Sequence, residues 1–134
     1  VAECTRLLHA YAVAVDHGDA AAMTALFTDD GRILRGTLAL SGRAELPQIL
    51  AGRPDDLVMR HLLTTVLVTP DGTGGGASAL VYYALYRGQG TPPLPMPQPF
   101  SLGEWHCRFA RTAAGWRIAQ LEIRRLFVRP PEAG

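Results

Sequence analysis

From Leu57 onward the chain is built of four long runs rich in Val, Leu, Tyr, Trp, Phe and Thr, each closed by turn residues. Residues 57–69, 77–87, 100–111 and 115–127 read as strands on that basis. Asp71-Gly72-Thr73-Gly74-Gly75-Gly76 joins the first two runs, and Ala113-Ala114-Gly115 joins the last two. These are hairpin-like connections, so the strands are expected to pair antiparallel. The helical patterning lies before them. Leu7, Leu8, Tyr11 and Val15 recur at spacings of three and four, which predicts a helix over 3–16. Gly18 suits a left-handed cap, and Asp19 suits the N-cap of a second helix over 20–27. Asp29-Asp30-Gly31 reads as a turn, Arg32–Arg35 as a short strand, and Ser41-Gly42 as the opening of a third short helical stretch with Pro47 in its first turn. Helices first and long strands after is an α+β order rather than an alternation of strand and helix. Residues 1–134 are therefore expected to form one domain, with helices packed on a curved antiparallel sheet that encloses a pocket.

The segment 88–99 holds five prolines. It cannot be a central strand, and it reads as a solvated spacer, a pocket rim or lid, or an oligomer contact. Arg129 to Gly134 are expected to leave the last strand and fray.

Composition narrows the functional classes. Formal net charge is +1, and every one of the 13 basic residues is Arg. They are scattered, only Arg124 and Arg125 being adjacent, so no basic stripe argues for nucleic acid. There is no run of 18 apolar residues and no signal-peptide pattern, hence no membrane span is expected. The chain begins at Val1 without Met, which points to residues that precede it. Cys4 and Cys107 lie far apart in no metal-ligand spacing, and they read as buried free thiols of a cytoplasmic protein. No His/Cys/Asp/Glu cluster has ligand spacing, so no metal is expected. Ser41, Ser78 and Ser101 have no adjacent base and no nucleophile elbow. Gly72 to Gly76 lie between two strands with no helix following, so they read as a turn rather than a phosphate loop.

Three polar residues stand out among apolar neighbours: Tyr11, Asp16 and His61. Five residues of helix leave Tyr11 and Asp16 about 140° apart after one full turn, so the two reach one cavity only if Asp16 sits at the last turn. A carboxylate there opposes the helix dipole, and a partner or a catalytic use would account for it. His61 alternates with Met59, Leu63 and Thr65 on one strand face. A carboxylate on one ring nitrogen fixes the tautomer of a histidine and leaves the other nitrogen as a base. His9 reads as surface, His17 as a partner for the helix-terminal carbonyls, and His106 as pointing opposite to Trp105 and Cys107.

In order and spacing, several stretches resemble the SnoaL-like branch of the nuclear-transport-factor-2-like superfamily. These are Tyr11-(x)4-Asp16-His17-Gly18-Asp19, Leu26-Phe27-Thr28-Asp29-Asp30-Gly31, Gly42-Arg43, Arg60-His61-Leu62-Leu63-Thr64-Thr65, and Phe109 to Ala119. The resemblance covers roughly residues 3 to 125. It implies a cone of helices on a bent sheet with the pocket between them. In the dehydratase-like members an Asp at the end of the first helix pairs with a His on the first long strand, and these fall on Asp16 and His61. A Tyr five residues before the Asp, present in the bile acid 7α-dehydratase, falls on Tyr11. The positions of the ketosteroid isomerase base and second acid fall near Arg35 and near Gly103 to Trp105, where no carboxylate stands. The second His and the Asn of scytalone dehydratase fall near Gly88 and Trp105. Only the Asp/His/Tyr set carries over.

The resulting expectation is a cofactor-independent lyase or cyclase, with a dehydratase favoured. Asp16, His61 and Tyr11 would act on a mostly apolar, oxygenated small molecule in a pocket lined by Phe27, Met59, Leu63, Tyr83 and Trp105. The alternative is a noncatalytic ligand binder or structural subunit of the ring-hydroxylating-dioxygenase small-subunit type. A homo-oligomer, trimer or dimer, is expected either way, with Tyr82, Tyr86 or His106 on the outer sheet face.

Overall fold

The first helix, α1 (Ala2–Asp16), forms because Cys4, Leu7, Leu8, Tyr11, Ala12 and Val15 fall on one buried stripe. It stops at Gly18, whose φ is +67°. There the Gly18 N–H donates to the Val15 carbonyl and the Asp19 N–H to the Ala14 carbonyl, a Schellman arrangement. Asp19 then caps α2 (Ala20–Thr24), its carboxylate accepting from the Ala22 N–H at 3.0 Å. This computed structural model describes residues 1–130.

Six strands follow in one sheet: β1 (Phe27–Arg35), β2 (Leu38–Ser41), β3 (Leu57–Pro70), β4 (Gly76–Gln89), β5 (Ser101–Thr112) and β6 (Gly115–Val128). A 3₁₀ turn, Leu46–Leu50, separates β2 from β3 and carries Pro47 at its start; it opens five residues later than the sequence predicts, because Ser41 is the last residue of β2. The spatial order is β2-β1-β6-β5-β4-β3. The α+β architecture is the expected one, and the four long strands pair antiparallel. β1 joins them differently. It pairs parallel with β6, which makes the sheet mixed.

Three further details depart from the sequence reading. The second helix ends at Thr24 instead of reaching residue 27, because Phe27 is taken into the sheet opposite Ile118. The Asp29-Asp30-Gly31 turn is not a boundary but a bulge inside β1, where pairing skips from Phe27 to Arg32. On β3 the register shifts between Leu63 and Thr65, so Thr65 lies opposite the exposed Tyr82 and leaves the face of Met59 and His61. Further shifts on the β5–β6 ladder, together with the bulge in β3, bend the sheet around α1.

β5 is the spine of the core. Ser101, Gly103, Trp105, Cys107 and Phe109 are buried, while the residues between them are not. α1 lies across this inner face and touches β3 and β6. Cys4 and Cys107 are buried and free, and burial pushes the Cys107 thiol up to about 12. His9 is exposed, and His17 Nδ1 lies 2.9 Å from the Val13 carbonyl. His106 faces outward and meets Glu104 at 2.9 Å. Residues 90–99 turn back so that Leu94 rests near Gly88 and Gly90. Pro92, Leu94, Pro95 and Pro97 form a shallow cleft there with Val58 and Tyr86. β6 ends at Val128, and of the tail only Arg129 and Pro130 fall among the described residues.

Two outcomes follow from this packing. The Tyr83 ring leans across Gly103, and a Cβ there would meet the Tyr83 hydroxyl at 2.9 Å and press on the Arg124 carbonyl. Gly103→Ala should therefore lower stability by about 1–3 kcal/mol in denaturant melts. Because burial holds Cys107 as the thiol, Ellman's reagent should label neither cysteine in the native protein and both after unfolding.

Candidate active site

Between α1, the 3₁₀ turn and the inner sheet face lies a cavity of about 240 Å³. Met59, His61, Tyr83, Leu85, Trp105 and Ile123 form its sheet wall, and Tyr11 and Val15 form its helix wall. Of the residues expected to line it, Met59, Tyr83 and Trp105 do so; Phe27 and Leu63 do not. Phe27 is fully buried behind Tyr11, edge-on at 5.9 Å. Leu63 lies opposite Tyr83 and packs into the core.

The two ionisable groups named from sequence meet. Asp16 is the last residue of α1, where the helix turns away at Gly18. Its Oδ1 lies 2.6 Å from His61 Nδ1, and its Oδ2 accepts from the His61 backbone N–H at 3.0 Å. Both side chains are at most 9% exposed. The carboxylate thus engages one strand residue twice, fixing where α1 ends against β3. The unfavourable position at a helix C-terminus is offset by Arg53, which donates to the Val15 carbonyl at 2.6 Å and the Asp16 carbonyl at 3.1 Å. With Nδ1 facing a carboxylate, the neutral imidazole carries its proton there, and Nε2 is the unprotonated nitrogen.

Trp105 organises the aromatic wall. Tyr11 meets it edge-on at 5.3 Å, the His61 ring lies 5.5 Å away, and Tyr83 stacks at 5.7 Å. Tyr11 is 2% exposed. Burial raises its phenol strongly, Cys107 adds to that, and the Arg35 guanidinium opposes it. The phenol therefore remains a hydrogen-bond donor at neutral pH. Burial also raises Tyr83.

Arg35, Arg53, Arg87 and Arg125 also line the cavity. None was singled out from sequence. A signal existed: Arg35, Arg87 and Arg125 each stand two residues beyond a lining or core residue on the same strand face, namely Ile33, Leu85 and Ile123. Among the described residues no three His, Cys, Asp or Glu side chains gather in a group that could hold a metal ion, and no helix is long and apolar enough to cross a membrane.

Known structures share this architecture. An NTF2-like protein with a cystatin-like fold from Novosphingobium aromaticivorans is 25% identical, with a TM-score of 0.76 over 90% of this chain and 78% of that one. ActVI-ORFA from Streptomyces coelicolor is 18% identical, with a TM-score of 0.80 over 93% and 96%. A protein provisionally named scytalone dehydratase, also from Novosphingobium aromaticivorans, is 14% identical, with a TM-score of 0.79 over 98% and 87%. No protein of curated function matches the sequence. The family model for the SnoaL-like domain matches residues 1–122. The chain, with its helices laid across a bent six-stranded sheet, belongs to the SnoaL-like domain family.

Proposed function

We propose that this protein is a cofactor-independent lyase or cyclase of the dehydratase kind, working by general acid–base catalysis on a mostly apolar, oxygenated small molecule. The observation that carries the reading is the Asp16–His61 contact at 2.6 Å beside a cavity whose wall includes Met59, Leu85, Trp105 and Ile123. His61 Nε2 takes a proton from a carbon next to a carbonyl, and the electron pair moves onto the carbonyl oxygen. Tyr11 donates a hydrogen bond to that oxyanion. When the enolate re-forms its carbonyl, the β-hydroxyl departs with the proton that His61 holds, giving water and an alkene. Asp16 stabilises the imidazolium between the two steps. A positioned base contributes about 10²–10⁴-fold, and a preorganised donor about 10²–10³-fold. The structural neighbour provisionally named scytalone dehydratase supports the reaction class. The exposed apolar residues of the outer sheet face, Leu62, Tyr82, Leu102 and Phe127, suit the expected homo-oligomer.

A second reading has its own support. Asp16 and His61 satisfy each other in the core, as a noncatalytic ligand-binding or structural subunit would also require, and one structural neighbour at 23% identity is provisionally named an aromatic ring hydroxylase.

Two experiments separate the readings. Incubation with a panel of bicyclic β-hydroxy ketones in D₂O, followed by NMR, reads proton abstraction as well as elimination. His61→Asn and Asp16→Asn should each reduce turnover by about 10²–10⁴-fold. Asp16→Asn retains both hydrogen bonds, its carbonyl accepting the backbone N–H and its amide donating to Nδ1. That moves the imidazole proton onto Nε2, so the melting temperature should stay close to wild type while activity goes. Near-normal rates in either variant would eliminate this mechanism. Tyr11→Phe should slow turnover by about 10²-fold, and an unchanged rate would remove Tyr11 from the reaction.

A further inference from the structure

The cavity wall carries one sign of charge. Arg35, Arg53, Arg87 and Arg125 line it, and no carboxylate does, since Asp16 sits behind His61. Two of the four guanidiniums have a structural task. Arg53 donates to the end carbonyls of α1, and Arg87 lies 4.5 Å over the Phe100 ring. Arg35 and Arg125 have neither an ion pair nor a stacking partner among the described residues. They are neighbours by register. Arg35 lies opposite Ile123 in the parallel β1–β6 pair, and Arg125 is two residues further on the same face. Arg125 also faces Gly103 across the β5–β6 ladder. With no side chain at Gly103, nothing on β5 separates Arg125 from the Tyr83 ring that leans over that position. Arg35 is half-buried and Arg125 is exposed at the cavity mouth. Two guanidiniums facing one cavity without a counter-charge repel one another, and a bound anion relieves that repulsion.

We infer that the ligand of this cavity is a small organic acid, its carboxylate clamped by Arg35 and Arg125 and its carbon skeleton laid on Tyr83, Trp105 and Met59. This rests on the cavity being the substrate site, as proposed above, and it names the chemical class of that substrate. A guanidinium fork matches a carboxylate bidentately, and two forks fix its orientation. Held at the β1–β6 side, the acid presents its carbon chain toward His61 on β3, across the sheet wall. The carboxylate anchors, and the reacting centre lies elsewhere on the molecule.

The test uses the full chain and a matched pair of probes, 2-naphthoate and its neutral amide 2-naphthamide, titrated by calorimetry with inorganic phosphate as a third ligand. Wild-type protein should bind naphthoate about tenfold or more tightly than naphthamide, the worth of a charge-assisted contact. Arg35→Gln and Arg125→Gln should each weaken naphthoate and leave naphthamide unchanged. His61→Asn should keep the preference, which separates this inference from the catalytic one. A protein that prefers naphthoate yet turns nothing over would uphold the carboxylate clamp and count against the lyase. Four results would overturn the clamp: equal affinity for acid and amide, failure of both to bind at millimolar concentration, a preference that survives the double Arg variant, or one that vanishes in His61→Asn because the anion sat on the imidazolium. Phosphate binding as tightly as naphthoate would also overturn it, by showing a plain anion site.

Discussion

The double engagement of Asp16 with His61 holds the site together and ties the helix layer to the sheet. One carboxylate oxygen meets the imidazole and the other meets the backbone N–H of the same residue. A buried carboxylate without such partners would be expensive, and breaking a buried pair by removing one member typically costs about 3–5 kcal/mol. α1 therefore has to end where it does, at Gly18, with Arg53 covering the carbonyls left at its C-terminus. The same contact that positions the helix also selects the imidazole tautomer.

Around that contact the cavity is divided by side-chain type. Trp105 takes the middle, with Tyr11, His61 and Tyr83 set against it at ring distances of 5.3 to 5.7 Å. Aromatic packing at such distances holds the His61 imidazole and the Tyr11 phenol in fixed orientation. The guanidiniums of Arg35, Arg53, Arg87 and Arg125 share the rest of the wall with Ile49 and Leu50 of the 3₁₀ turn and with Leu57 and Phe100. The cavity thus combines an apolar floor, a positioned imidazole and a cationic side, which is the combination that the proposed ligand, with an apolar body and an acidic handle, requires. That description is more restrictive than the fold alone, because one fold of this type supports many chemistries.

Much of this was legible in the residues. The apolar stripe of α1, the cap at Gly18 and Asp19, and the four long strands each carry a local signal, and each stands where the pattern puts it. Asp16 and His61 were legible as polar residues out of place. The remainder depends on contacts distant in sequence. β2 is four residues long and has no periodicity of its own. The parallel β1–β6 pairing joins the two ends of the chain and drew Phe27 out of a helical run of alanines. The bulge on β3 between Leu63 and Thr65 reversed the strand face beyond Leu63, which no composition rule marks. Arg35 and Arg125 were hidden for a different reason. Arginine at a strand end normally reads as solvated, and only the assembled sheet shows two of them turned to one cavity.

The central claim is that Asp16 holds the His61 imidazole with its proton on Nδ1, leaving Nε2 bare toward the cavity. The direct measurement is ¹⁵N NMR of the protein labelled at its histidine ring nitrogens, at a pH where the His61 ring is neutral. The account predicts that the His61 Nδ1 resonance is that of a protonated nitrogen and the Nε2 resonance that of an unprotonated one. A proton found on Nε2, or a ring exchanging freely between the two tautomers, would contradict it.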